Sequence, residues 1–219
     1  MKGRELLKPL LRIVTILLGL SVLVLLVPMD GRSANGNLKP GSGRGELFLV
    51  GLPEPTGWKI GFQKQERKGI VDLVHTEYVP ETQSVEDWHE MVTVQIYRGL
   101  KKVRVEEWTK EWTVRMNKSC QGGVSPFVKA QMENGYAAAF STHYCPMDLQ
   151  TGKGEITYIK AVVGKDSFYV VLRAWRGESF SPDNAPMTRD TALEWSRYMS
   201  RVSVCDTRDP QRACPQGIQ

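Results

Sequence analysis

The stretch "GEITYIKAVVGKDSFYVVLRAW", Gly154–Trp175, decides the fold. Two runs of alternating, β-branched and aromatic residues flank Gly164-Lys165-Asp166. A short polar turn between two such runs predicts an antiparallel hairpin. Upstream, Gly135–Cys145 reads as another strand. Earlier still, "ELFLVGLPEPTGWKIGFQKQ" gives a first strand, a Pro-rich turn and a second strand in which Trp58, Ile60 and Phe62 share a face. Ile70 to Val79 forms the next strand, closed by Pro80, and Val92, Val94 and Ile96 mark one more. Between them "ETQSVEDWHE" is a turn with one short helical turn, which Ser84 caps while Asp87 reaches back.

The period changes in "VRVEEWTKEWTVRMNK". Val105, Trp108, Trp112 and Met116 recur at helical steps and form one apolar stripe. Glu106–Lys110 and Glu111–Arg115 lie on the outer face with the acid first, the better order. Gly122 and Gly123 end this helix. A last helix is expected from Thr191, with Glu194 completing a capping box and Ala192, Trp195, Met199 and Val202 on its buried side. Consecutive strands with short turns favour antiparallel pairing. The expected fold class is therefore α+β: an antiparallel sheet covered by two amphipathic helices. This order, with "GWKIGF" early and the Trp-rich helix in the middle, resembles the PsbP-like fold of the oxygen-evolving-complex subunit and of small exported bacterial proteins. The resemblance spans residues 47–205 and implies an αβα sandwich; it carries no catalytic or ligand residue with it.

Working outward, "IVTILLGLSVLVLLVPM" runs from Ile13 to Met29 without a charge, behind Lys2, Arg4, Lys8 and Arg12. Such a segment enters a bilayer while its basic flank stays behind. It is longer than the usual signal-peptide core of ~7–15 residues and shorter than the ~20 of a spanning helix. Residues 1–30 therefore read as a signal peptide, cleaved near Ser33, or as an N-terminal anchor held by residues 13–29. Gly- and Pro-rich residues 31–45 read as a flexible linker. Residues 46–205 form one globular domain and residues 206–219 a disulfide-tied tail. Either fate of the leader puts the domain outside the cytoplasm: in a bacterial periplasm, secreted, or anchored to the inner membrane. The formal charge of +5 is largely the leader's, and no basic stripe interleaves with stacking aromatics, which argues against nucleic acid.

The chain has four cysteines, Cys120, Cys145, Cys205 and Cys214. In an oxidising compartment an even count favours disulfides. Local closure favours Cys205–Cys214 and leaves Cys120 with Cys145; cross-pairing is the alternative. His143 and Cys145 lie two apart on a strand and so share a face. A Cys/His nucleophile would need an exposing turn that is not there. Zinc would want four ligands, but His75, His89 and His143 stand singly and no C-x-x-C is present. The preferred reading is a strand end tied by a bridge, with His143 a partly exposed neighbour.

Glu86, Asp87 and Glu90 read as a solvated face rather than a glycosidase pair. Trp108, Trp112 and Trp195 read as core; Trp58, Trp88 and Trp175 are freer. Trp175 shares a strand face with Tyr169, Val171 and Arg173, so Tyr169, Arg173 and Trp175 mark a possible binding face. The function expected is that of a non-catalytic, cofactor-free envelope protein that binds another envelope protein. An extracytoplasmic hydrolase and a small-ligand carrier are the alternatives.

Overall fold

The computed structural model describes residues 45–54, 57–126 and 128–215, which fall within one compact unit. The leader over 1–30, its apolar run 13–29, nearly all of the linker and the last residues of the tail lie outside the described residues. Among the described residues no helix is long and apolar enough to cross a membrane.

The expected hairpin is the centre of the molecule. β9 (Gly154–Val163) and β10 (Ser167–Gly177) pair antiparallel, with Phe168 opposite Val163 and Trp175 opposite Ile156. Around them the chain adds β1 (Glu46–Leu49), β2 (Trp58–Lys68), β3 (Val71–Pro80), β4 (Glu90–Arg98), β5 (Cys120–Gln121), β6 (Val128–Glu133), β7 (Tyr136–Cys145), β8 (Met147–Asp148) and β11 (Ser203–Asp206). The helices are α1 (Val105–Lys118) and α2 (Arg189–Arg201). Seven strands form one antiparallel sheet in the order β2-β3-β4-β10-β9-β7-β6. β1 pairs with β11 and β5 with β8 as two-stranded ribbons.

The α+β expectation of a helix-covered sheet is corrected here. The structure is 48% strand and 20% helical, a β-rich fold. The reason is size. A helix is about 10 Å wide, whereas seven strands about 4.8 Å apart span roughly 29 Å. Alternation on β9 shows what the helices reach. Ile156 and Tyr158 pack with Trp195, Tyr198 and Met199 of α2, while Ile159 and Ala161 pack with Val105, Trp108 and Trp112 of α1. The helices thus sit on opposite faces of the central strands, and β2 at the margin is exposed along almost its whole length. The αβα sandwich implied by element order is replaced by a broad sheet with local helical patches.

The stripe on α1 is also rotated. Its buried positions are Val105, Thr109 and Thr113, with Trp108 and Trp112 only partly buried. Thr109 Oγ1 donates to the Val105 carbonyl at 2.8 Å, so a threonine sits in the core without an orphaned hydroxyl. Trp108 still meets Phe168 edge-on at 4.9 Å. Lys110 and Glu106 form the expected outer pair at 2.6 Å.

The cap of α2 lies three residues before the one expected from the sequence, Thr191. Thr188 is the cap, accepting from the Thr191 amide at 3.2 Å. Glu194 is occupied elsewhere: it accepts from Arg173 Nη1 at 2.8 and 2.9 Å. At the other end of α2, Lys160 Nζ donates to the carbonyls of Met199 (3.1 Å) and Val202 (2.7 Å) and pairs with Glu133. A lysine 2% exposed thereby closes the C-terminal end of the helix, where the helix dipole favours a cation.

Asp206, at the end of β11, accepts from Arg208 Nε at 2.8 Å and from its backbone amide at 2.9 Å. The Arg208 side chain holds this carboxyl below the usual carboxylate range. A depressed carboxyl adds stability above its unfolded pKa, which fades as pH falls through the folded one. Asp206→Asn is therefore expected to be less stable than the parent at neutral pH, by about 1 kcal/mol. The gap should close in acid below the parent's folded carboxyl pKa. Denaturant melts across pH test this; a gap that persists in acid would count against the ion pair as its cause.

Candidate functional site

The first candidate lies under the C-terminal end of α1. Cys120 follows the helix directly, and β7 brings Cys145 to it, with a disulfide between them. The second bond joins Cys205 to Cys214. Two disulfides put this domain in an oxidising, extracytoplasmic environment. His143 lies on the same face of β7, as its spacing requires, but it is not a partly exposed neighbour: it is 0% exposed. α1 explains the difference, because Trp112 meets the imidazole edge-on at 6.1 Å and shuts out water. Burial pushes the His143 imidazole down to about 4, so it is neutral. Nδ1 lies 3.0 Å from Ser125 Oγ, while Nε2 is buried and has no hydrogen-bond partner. The ligand atoms of Cys120, His143 and Cys145 all lie within 4.8 Å of one another. With both sulfurs in a bond, the site as it stands has no thiolate nucleophile.

The second candidate is the outer margin of the sheet. A bulge between Ile60 and Phe62 turns the strand, so the two residues face opposite sides. Gly61 is needed there: a Cβ would lie 2.6 Å from Val85 Cγ1. Ile60 is 52% and Phe62 44% exposed. Among the described residues β2 pairs on one side only, with β3, which leaves its outer edge open. Lys59, Lys64, Arg67 and Lys68 face Glu66 alone on this strand, and Glu66 already binds Lys64 (2.9 Å) and Lys68 (3.3 Å). The margin is therefore cationic. Behind Phe62 runs an ordered polar chain: Tyr97 donates to Gln95 (3.0 Å), Gln95 meets His75 Nδ1 (3.0 Å), and His75 Nε2 meets Glu77 (2.8 Å).

Of the face singled out from sequence, Tyr169 and Arg173 are buried and Trp175 is half-buried. Tyr169 donates to Glu46 at 2.8 Å. Arg173 is 4% exposed, stacked 4.5 Å over Trp195 and paired with Glu194 and Glu90. Trp175 packs on Phe180 at 6.3 Å. The acids Glu86, Asp87 and Glu90 do not converge either: Glu90 serves Arg173, and Asp87 faces Lys153 at 3.5 Å. Trp88 is in the core, with Arg176 stacked 4.1 Å over it. An open apolar depression of about 260 Å³ lies between Val124, Pro126, Tyr144, Pro146, Pro182 and Ala185. That is below the ~300–1,000 Å³ usual for a small-molecule site. Ser125, 18 residues from His143, was invisible in the sequence; only the Val124–Tyr144 bridge brings the two together.

No family model matches the chain, and no curated protein matches it either.

Proposed function

We propose that this is a non-catalytic module, exported to the periplasm or beyond, that binds another envelope protein by adding an extended segment of it to β2. The observation that supports this reading is the open edge itself: 11 residues long, with Ile60 and Phe62 exposed on its two sides. Strand addition draws affinity from main-chain hydrogen bonds and specificity from alternate side chains. The charges on β2 say which strand fits. A second copy of β2 would set lysines and arginines against one another, which disfavours self-pairing. An acidic segment meets complementary charge, which steers encounter and fixes register.

The test is photo-crosslinking in the native envelope. A photoreactive residue at position 62 should give a discrete adduct with another protein, lost in a Lys64→Glu/Arg67→Glu background. The same residue at position 132, on the opposite edge strand β6, should give none. Adducts at 62 that ignore the charge reversal, or that are matched at 132, would refute strand addition at β2.

A further inference from the structure

We propose that the reduced form of the Cys120–His143–Cys145 corner is a binding site for a soft or borderline metal ion, Zn(II) or Cu(I), and that disulfide and metal occupy it in alternation. The inference begins with His143. An imidazole nitrogen buried in protein normally has a partner. Nε2 has none, at 0% exposure, and a nitrogen of its ring lies within 4.8 Å of both sulfurs. Its ring is set up as metal-ligating histidines are. Nδ1 lies 3.0 Å from Ser125 Oγ. A proton on Nδ1 donated to that hydroxyl leaves the Nε2 lone pair free, and such an outer partner fixes both tautomer and ring orientation. Trp112 holds the ring from the side. Two thiolates and one imidazole are the donor set that selects Zn(II) or Cu(I) over hard cations. Zn–S bonds of ~2.3 Å and Zn–N bonds of ~2.0 Å require donors a few ångströms apart, and these three already lie within 4.8 Å. Asn117 supplies a further sign of an unfilled corner. Its buried Oδ1 has no partner, and it flanks Gly123 together with the Cys120 Cβ.

The chemistry balances without a hidden reagent. A dithiol passes two electrons and two protons to the Cys120–Cys145 bond and becomes a cyclic disulfide. The S–S bond breaks and two thiols form. The metal then displaces both thiol protons to solvent and takes the Nε2 lone pair. A newly exported chain reaches the same dithiol state before its first oxidation. Metal would therefore hold β7 to the end of α1 until a disulfide-bearing oxidant takes two electrons from the two thiolates and is itself reduced to a dithiol; the Cys120–Cys145 bond then forms and the metal ion leaves to solvent.

The test uses the full chain with Cys205→Ser/Cys214→Ser, so that one cysteine pair remains. Reduced anaerobically with a phosphine, it should take up one equivalent of Co(II), with a thiolate-to-cobalt charge-transfer band and tetrahedral visible bands. The oxidised chain should take up none. His143→Ala should weaken binding by at least about 100-fold and Ser125→Ala by about 10-fold. Two cysteines of an unfolded chain would bind cobalt equally well in parent and His143→Ala, and that result overturns the proposal. So does a reduced chain that binds nothing. X-ray absorption on the zinc-loaded parent decides the matter even if the variants fold poorly: a shell of two sulfurs and an imidazole nitrogen is expected, and a shell without nitrogen refutes it.

Discussion

Cys120→Ala/Cys145→Ala is expected to unfold roughly 10 °C below the parent chain. The bond closes a span of 25 residues. In the chain-entropy account, a loop of that length removes about 3.5 kcal/mol of freedom from the unfolded ensemble. For a domain of this size each kcal/mol moves the midpoint by about 2–4 °C. Cys205→Ala/Cys214→Ala is the internal comparison. Its bond spans 9 residues, so the same relation gives about 2.6 kcal/mol. The first variant should therefore melt lower than the second. Packing widens the gap, because Cys120 and Cys145 are 7% and 3% exposed and border a buried imidazole. Thermal melts of the three full-length chains by circular dichroism decide it. Equal midpoints for the two variants would mean that loop constraint is not what these bonds contribute.

Lys160→Met should cost about 3 kcal/mol, mostly through what it leaves behind. Methionine fills the space of the lysine stem. It cannot donate to the carbonyls of Met199 and Val202, which lose an ammonium at 3.1 and 2.7 Å. A buried acceptor stripped of its donor costs about 1–3 kcal/mol. Glu133, 25% exposed at its side chain, loses its partner as well but can turn toward water, so its share is smaller than that of a fully buried ion. The double variant Lys160→Met/Glu133→Gln should recover only about 1 kcal/mol, since the helix end stays open. Urea unfolding of both chains measures this. A single-variant loss below about 1 kcal/mol would show that water enters and satisfies the carbonyls.

These residues show what the sequence made legible and what it hid. The hairpin at Gly164–Asp166 and the helix from Val105 are local patterns, and both are where the chain announces them. β6 went unread because an edge strand with four exposed central positions, Lys129–Met132, has little apolar alternation to betray it. β11 is four residues long and straddles the expected boundary between domain and tail, too short to show a period of its own; β1 pairs with it from the other end of the chain. The cover over the sheet was overestimated for a related reason. Alternation tells which face of a strand is buried but not how many strands lie side by side, and β2 adds width that neither helix reaches. The site followed the same division. His143 and Cys145 on one face is a matter of period, so it was readable. The burial of His143 depends on Trp112 packing from α1, and its Ser125 partner depends on a bridge to Tyr144; both are tertiary facts. Arg173 reversed its role because α2 and Glu194 settle over it.

The ribbon of β1 and β11 sets how the domain bears load. Its register, Glu46 with Asp206 through Leu49 with Ser203, brings the chain in and out at the same end of the ladder. Tension between those two exits meets one rung at a time, so the ribbon unzips instead of shearing. A pull from both sides would strip away β11, and α2 behind it, at low force, while the seven-stranded sheet and its buried bridge stay shut.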